Sequence, residues 1–162
     1  MAYQNQKRQY QNPKRQKDEF KEKVLEIRRV ARVVAGGKRF RFRATVAIGD
    51  EKGRIAVGTA KSADVVGAIT KARDGAKKNL ITVNLKDKRT IPHEVVAKYS
   101  AAYVLIKPAV KGHGLRAGGS VRFVLSLAGV KDATAKCLGR TTNKLTNALA
   151  TINALKQLRK KV

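Results

Sequence analysis

The chain has 162 residues, the size of one ordinary domain or two small ones. It contains 37 Lys and Arg against 11 Asp and Glu, a formal net charge of +26, and 43% of its residues are hydrophobic, which is enough for a core. A single Cys excludes a disulfide framework and a Cys-rich zinc site, and the apolar runs are too short for a transmembrane helix. The amino-terminal residues lack the apolar core of a secretory signal.

The positive charge is spread along the chain instead of being gathered in one tail. Residues 31–90 contain fifteen basic and five acidic side chains, and residues 91–162 contain thirteen and two. A charge of this size predicts a polyanionic partner. A membrane anchor would concentrate its charge beside a lipidation site or on one amphipathic helix. We therefore expect nucleic acid as the partner and no membrane anchor.

The amino-terminal segment differs in composition from the rest. Residues 1–17 are rich in Gln, Asn, Lys and Arg and hold five basic and no acidic side chains. They offer too little apolar surface to offset the entropy of ordering, which predicts a basic disordered tail. This tail either folds onto RNA or only solubilises the chain. Residues 18–34 fit helical or strand spacing, and Gly36-Gly37 predicts a turn after them.

Residues 38–48 alternate with a period of two, which predicts a strand. The even positions are apolar, and the odd positions begin with three arginines: Arg39, Arg41 and Arg43. Alternate side chains on a strand lie about 7 Å apart, close to the phosphate spacing of a nucleic-acid strand. The arginine row is therefore predicted to contact an RNA backbone, although a charged outer face of an ordinary strand gives the same pattern. Phe40 and Phe42 are predicted to be core residues and not base-stacking platforms.

The next elements complete a first structural unit. A hairpin turn is predicted at residues 49–53 and a second strand at residues 54–58. Ser62 is expected to cap a helix that runs through Asn79. The apolar stripe of this helix is Val65, Ile69, Ala72, Ala76 and Leu80. A short strand over residues 81–85 follows, so this part of the chain is predicted to be an antiparallel sheet covered by at least one helix.

The pattern restarts after a Pro-containing linker at residues 86–92. Strands are predicted at residues 95–99 and 102–107, and the second is expected to be central because it is almost fully apolar. The remaining predicted elements are a glycine-rich loop at residues 109–119, a helix at 120–128, a strand at 133–138 and a final helix capped by Thr142 or Asn143. These elements form a second α/β unit.

Side chains suited to catalysis are scarce. The second unit, from residue 91 onward, has only two acids, Glu94 and Asp132, and its two histidines, His93 and His113, are twenty residues apart. The glycine-rich loop reads G-x-G-x-x-x-G-G, which differs from the dinucleotide fingerprint. Cys137 is expected to be a small buried hydrophobic residue. We predict no enzyme, no cofactor and no metal.

Several motifs in fixed order resemble the bacterial small-subunit ribosomal protein five family. They are VVAGGKRFRFRATVAIGDEKGRIAVG, KKNLI, TIPHEV and GHGLRAGGSVRFVLSLAGVKD, within a resemblance that runs from about residue 24 to 158. The resemblance implies an α+β fold of two domains. Residues 18–88 would form a double-stranded-RNA-binding-like domain, a three-stranded antiparallel sheet plus one helix. Residues 89–162 would form an α/β domain with a left-handed βαβ crossover, and residues 25–34 would be the first strand of a hairpin.

The resemblance also implies a function and its residues. The expected role is a structural protein of the small ribosomal subunit, cytoplasmic with the ribosome, that binds small-subunit ribosomal RNA near the neck and supports assembly and translational accuracy. The expected protein partners are ribosomal proteins four and eight, with messenger RNA nearby where it enters, and no homo-oligomer is expected. The candidate RNA-binding residues are Ala35, Gly36, Gly37, Lys38, Arg39, Arg41, Arg43, Arg54, Lys61, Lys77, Lys78, Asn143 and Lys144. The candidate contacts with ribosomal protein four are Gly112, Gly114, Arg116 and Arg122.

Three departures from the family pattern fall on or beside these candidate residues. The stretch from Gly58 to Lys61 lacks glycines that are usual in the family, the stretch from Arg140 to Lys144 lacks the usual Pro, and the third departure is at the hairpin tip. Ala35 stands where the family usually has Lys, which puts one phosphate contact in doubt, while Lys38 keeps a cation after the glycines. The alternative function is a free-standing nucleic-acid architectural protein or RNA chaperone, which the basic charge alone would also allow.

Overall fold

The structure is a computed structural model that describes residues 19–158. The predicted tail over residues 1–17 therefore lies outside the described residues. The first unit consists of β1 (Lys21–Val34), β2 (Gly37–Gly49), β3 (Arg54–Ser62), α1 (Val65–Lys77) and β4 (Ile81–Thr82). The second unit consists of β5 (Val95–Tyr99), β6 (Ala102–Pro108), β7 (Leu115–Arg116), α2 (Gly119–Leu127), β8 (Ala133–Cys137) and α3 (Lys144–Lys156).

The first sheet is antiparallel throughout, in the order β1-β2-β3-β4. It has four strands in the described residues, so the expected three-stranded sheet is corrected: Ile81 and Thr82 pair with the start of β3 and add a short edge strand. The strand predicted over residues 81–85 is reduced to these two residues. The ambiguous segment before the turn is the long strand β1, whose register against β2 shifts between Val24 and Glu26. This irregularity places Leu25 in the core.

The amino-terminal cap of α1 is Asp64, and the prediction of Ser62 is wrong. The Asp64 carboxylate accepts hydrogen bonds from the backbone N–H groups of Val66 (3.1 Å) and Gly67 (3.4 Å). Ser62 is still paired with Phe42 as the last residue of β3, so its backbone is not free to start a helix.

Small residues allow α1 to lie close to the sheet. Ala68, Ala72 and Ala76 are fully buried on its inner face. A Cβ atom at Gly58 of β3 would lie 2.3 Å from the carbonyl oxygen of Ala72, so only glycine permits this approach. The helix ends at Lys77 with Lys78 as its carboxy-terminal cap, slightly earlier than predicted.

The second sheet is mixed, in the order β5-β6-β8-β7. The prediction that the strand at residues 102–107 is central is confirmed, because β6 lies between β5 and β8. The two-residue strand β7 lies inside the predicted glycine-rich loop and pairs in parallel with β8. Because α2 connects β7 to β8, these three elements form a βαβ unit. Asn143 is the cap of α3, since its side chain accepts a hydrogen bond from the Leu145 N–H at 3.1 Å.

The two units share one hydrophobic core. Ala47, Ile55 and Val57, on the face of the first sheet opposite α1, belong to the same buried cluster as residues of α2 and α3. The far side of α3 packs on β5 and β6, so the molecule is layered as α1, first sheet, α2 with α3, and second sheet. The turn after β2 also touches the end of α2, where the Glu51 N–H donates to the Leu127 carbonyl at 3.0 Å.

Candidate nucleic-acid interface

The first hairpin extends beyond the layered body. We call residues 27–43 the arm; the turn at its tip is formed by Ala35 and Gly36. Its exposure is high near the tip, where Val33 is 72% exposed. Gly37 begins β2 with φ of +124°, a conformation that other residues rarely adopt. The predicted hairpin tip is thus confirmed, and Lys38 follows it as an exposed cation.

Strand pairing collects six cations on one face of the first sheet, five of them in the arm and the sixth, Lys61, on the adjoining strand β3. Arg43 is opposite Arg28 on β1 and opposite Lys61 on β3, and residues directly opposite in antiparallel strands point to the same side. Taking every second residue from Arg43 toward the tip, together with the residues opposite on β1, gives the other members of what we call the arginine face. Its residues are Arg28, Arg32, Arg39, Arg41, Arg43 and Lys61.

Two members of the arginine face, Arg28 and Arg32, are absent from the sequence-based set of RNA-binding residues. The signal for them was present: once the turn is placed at the tip, Arg32 falls opposite Arg39 and Arg28 opposite Arg43. The segment was ambiguous between helix and strand, and only the strand assignment gives this pairing.

The arginine face is electrostatically unbalanced. Within residues 19–158 its ion pairs are limited to Arg28, whose guanidinium is 2.9 Å from the carboxylate of Glu26. Like charges that face each other across strands repel, and they are tolerated best where a polyanion can neutralise them. Toward the body the same face changes character, because Thr45 and Ala47 follow Arg43 and are buried, and Ala47 belongs to the core shared with the second unit.

On the opposite face of the sheet the side chains are mostly apolar, and α1 covers only part of them. Residues Ala44, Val46 and Ile48 are buried beneath α1, and Phe42 is half-buried at the edge of this cluster. Phe40 is 51% exposed, so the prediction that it belongs to the core is wrong. The alternation correctly assigned the face of Phe40, but α1 begins just after Ser62, which pairs with Phe42, and runs back along the sheet away from Phe40.

Arg54 is the first residue of β3, next to the end of β2 that lies farthest from the tip, and it is surrounded by acids. Its Nε donates to the Asp50 carboxylate at 2.6 Å, and Glu19 is 3.6 Å from its guanidinium. Burial alone would raise the pKa of Asp50, but hydrogen bonds from Arg54 and from the Lys52 N–H lower it. The arrangement neutralises much of the charge of Arg54, and the structure does not bring Arg54 to the arginine face.

The other candidate RNA-binding residues lie on further elements. Lys77 and Lys78 are at the carboxy-terminal end of α1, where cations favourably oppose the helix dipole. Asn143 uses its side chain to cap α3, and Lys144 is the first residue of that helix. These positions are at least two elements removed from the arm along the chain.

The glycine-rich loop is organised by a residue that sequence analysis did not single out for this role. The Asp132 carboxylate is almost completely buried and accepts hydrogen bonds from the N–H groups of Gly112 (3.1 Å) and Gly114 (2.9 Å), while Arg89 pairs with its other oxygen. The hydrogen bond from Gly114, followed by that from Arg89, lowers the pKa of Asp132. Asp132 therefore joins the loop to the linker between the units.

The predicted partner-contact residues sit around this loop. Gly112 and Gly114 have φ values of +91° and +77°, which explains the need for glycine at both positions. Arg116 on β7 and Arg122 on α2 are exposed. A groove of about 760 Å³ lies between the linker and the residues that follow β6, with Asp132 in its lining. The sequence offers one signal for the structural role of Asp132, which is that it is an isolated acid in a very basic stretch.

The described residues offer no alternative chemical centre. Across residues 19–158, no group of three or more His, Cys, Asp or Glu side chains is placed to hold a metal ion. No helix in this range has the length and apolarity to cross a membrane. Cys137 is half-buried at the end of β8, and burial raises the pKa of its thiol.

Two α+β units with a shared core and an extended cationic hairpin define a basic protein of the RNA-binding class. Comparison with known families is specific. Residues 20–84 match the family described as ribosomal protein S5, N-terminal domain, and residues 97–161 match ribosomal protein S5, C-terminal domain. The chain belongs to the ribosomal protein S5 family, which confirms the resemblance drawn from its motifs.

Individual relatives cover nearly the whole chain. The small ribosomal subunit protein uS5c of Guillardia theta is 47% identical over 146 residues, 90% of this chain and 86% of that protein. Small ribosomal subunit protein uS5 of Acaryochloris marina is 45% identical over 159 residues, covering 98% and 89%. That of Thermosynechococcus vestitus is 47% identical over 150 residues, covering 91% and 86%. Because this is a family of structural ribosomal proteins, membership confirms the predictions of a ribosomal location and of a protein that is not an enzyme.

Proposed function

We propose that this protein is a structural constituent of the small ribosomal subunit and binds small-subunit ribosomal RNA through the arginine face of its arm. The supporting observation is that strand pairing puts six cations on one exposed face with a single acid, Glu26, paired to it. Lys and Arg that neutralise phosphates release condensed counterions, which makes the affinity large and dependent on salt. Phosphate contacts of this kind position the protein by RNA shape rather than by base sequence.

The finer placement rests on the family resemblance. The arm would lie near the neck, beside the channel that admits messenger RNA, and the glycine-rich loop would contact ribosomal protein four and influence translational accuracy. Ribosomal protein eight would be a second neighbour, and the protein would act without forming homo-oligomers. Supporting this, Asp132 fixes the backbone of the loop and leaves Arg116 and Arg122 on the surface.

The domain assignment is part of the same proposal. Residues 18–88 would act as a double-stranded-RNA-binding-like domain, and residues 89–162 as the family's second domain, in which the β7-α2-β8 crossover is left-handed. The remaining candidates would add RNA contacts outside the arm. These are Arg54, Lys77, Lys78, Asn143 and Lys144.

The test is a salt series on one arginine and one matched cation. The equilibrium constant for binding small-subunit ribosomal RNA is measured for wild type, Arg41→Gln and Lys98→Gln, where Lys98 is an exposed cation on β5. We expect Arg41→Gln to weaken binding and to reduce the steepness of log K against log salt by about one, and Lys98→Gln to leave both unchanged. An unchanged slope for Arg41→Gln would contradict a role of this face in phosphate binding.

A second comparison separates the alternative function. Binding of wild type to small-subunit ribosomal RNA is compared with binding to unrelated structured RNA of the same length at moderate salt. A preference for the ribosomal RNA supports a placed ribosomal constituent. Equal affinities that vanish together as salt rises would instead support a free-standing architectural protein or RNA chaperone.

A further inference from the structure

The apolar face of the arm contains one aromatic ring whose surroundings are unusual. Phe40 is 51% exposed, and the Arg29 guanidinium lies over its ring, 4.6 Å from the ring centroid. The pair is a diagonal pair across the strands, since Phe40 is opposite Ala31 and Arg29 comes two residues before Ala31 on the same face of β1. The backbone of both residues is fixed by the ladder between β1 and β2, so the ring and the planar cation are presented together.

Two properties of this site point to a base and not to an apolar protein surface. The arm is only two strands wide here, and its exposed apolar side chains, such as Val33 and Ile27, are separated by the cations Arg29 and Lys38. An apolar partner would have to desolvate those cations, which is costly without an acid to pair with them. A nucleic acid brings phosphates for the cations and flat apolar rings for Phe40 at the same time.

We propose that Phe40, with Arg29 stacked on it, is a stacking platform for an unpaired nucleobase of the RNA that binds the arm. Proteins read single-stranded RNA loops and bulges largely by stacking splayed bases on aromatic rings and on guanidinium planes. The inference rests on the proposed function, because it places the base in the same RNA whose backbone contacts the arginine face. It adds a contact to a base on the opposite side of the arm.

The experiment compares three substitutions in the full-length chain, with full-length small-subunit ribosomal RNA as the probe. Phe40→Ala removes the ring, Phe40→Leu keeps an apolar side chain without a ring, and Phe40→Tyr keeps the ring. We expect Phe40→Ala and Phe40→Leu to weaken binding about tenfold each and Phe40→Tyr to remain within about twofold of wild type. Because stacking involves no phosphate, the salt slope should stay at the wild-type value in all three.

A spectroscopic reading tests stacking directly. The chain has no Trp, so Phe40→Trp introduces a single indole at the platform. Its fluorescence should be quenched when the ribosomal RNA is added, whereas a single Trp at Val110, which is 78% exposed in the second unit, should change much less. Thermal melts by circular dichroism check that each variant is folded, and Phe40→Leu and Phe40→Tyr serve if Phe40→Ala is not.

The outcomes are distinguishable. Wild-type affinity for Phe40→Ala while Arg41→Gln is weakened would overturn this inference and leave the proposed function standing. Wild-type affinity for Phe40→Leu would mean that this face needs only an apolar side chain of similar size, as contact with a protein partner would require. That result would also overturn the inference. If wild type shows no preference for the ribosomal RNA, the proposed function falls and this inference falls with it.

Discussion

Replacing Gly49 by Ala should destabilise the whole molecule through a single methyl group. A Cβ atom at Gly49 would lie 2.2 Å from the carbonyl oxygen of Leu127 and 2.9 Å from its Cβ, whereas ordinary contact begins at 3.4 Å. The obstacle is the backbone at the end of α2, so no flexible side chain can move aside. The end of β2 and the end of α2 must therefore separate by roughly 1 Å.

The cost follows from what this separation disturbs. The same carbonyl accepts the Glu51 N–H at 3.0 Å, and a displacement of about 1 Å takes that pair beyond hydrogen-bond range. Its loss contributes about 0.5–1.5 kcal/mol, and overpacking a buried contact contributes about 1–3 kcal/mol. The expected total is about 3 kcal/mol, which corresponds to a fall in melting temperature of about 6–12 °C for a chain of this size.

The assay is urea unfolding followed by far-ultraviolet circular dichroism, with Gly36→Ala as the matched control. A Cβ atom at Gly36 has no neighbour within 4 Å, so the control should change the free energy of unfolding by less than about 0.5 kcal/mol. Because the two units share one core, the Gly49→Ala variant should still unfold in one transition. A loss below about 0.5 kcal/mol, or two separate transitions, would refute the reasoning.

Three further predictions concern stability. Gly75→Ala in α1 has open space for the methyl group, and we expect it to raise the free energy of unfolding by about 0.5–1 kcal/mol in the same assay; a decrease would contradict this. Asp64→Ala should lower the free energy of unfolding by about 1 kcal/mol, and Ser62→Ala should lower it distinctly less. If Ser62→Ala were the more damaging change, the helix cap would be Ser62. The lowered pKa of Asp132 means that its stabilisation is present above the ordinary value of 3.8 and is lost as pH falls through the lower folded value. Urea midpoints measured from pH 7 to pH 2 should therefore fall less steeply in acid for Asp132→Asn than for wild type, and parallel curves would count against this role.

Local pattern predicted the strands and helices well where one face of an element is buried. The alternation in residues 38–48 correctly indicated a strand and its two faces. It could not indicate where burial stops, because the exposure of Phe40 depends on where α1 begins, about 25 residues further along the chain. For the same reason it did not show that the arginine face ends at Thr45, where the buried part of this face begins.

The candidate site was predicted in part, and the remainder depends on contacts between distant segments. The arginines of β2 were found from their spacing, but Arg28 and Arg32 join them only through the β1 register. The sequence does not identify Asp132 as the residue that organises the loop, because its partners, Arg89 and the N–H groups of the glycine-rich loop, are 18 to 43 residues away in the sequence. Hydrogen bonds to backbone N–H groups leave no pattern in residue types.

The shared core has a consequence for how the protein is made. Leu25 near the start of the described chain and Leu158 at its end belong to the same buried cluster, and α3 covers part of the first sheet. During synthesis the first sheet therefore lacks this part of its second covering layer until α3 has been translated. Until then a newly made chain exposes an apolar surface beside an array of arginines. Contacts this distant in sequence also slow folding, so the nascent protein passes through an interval in which nonspecific capture by any nearby RNA competes with completion of the fold.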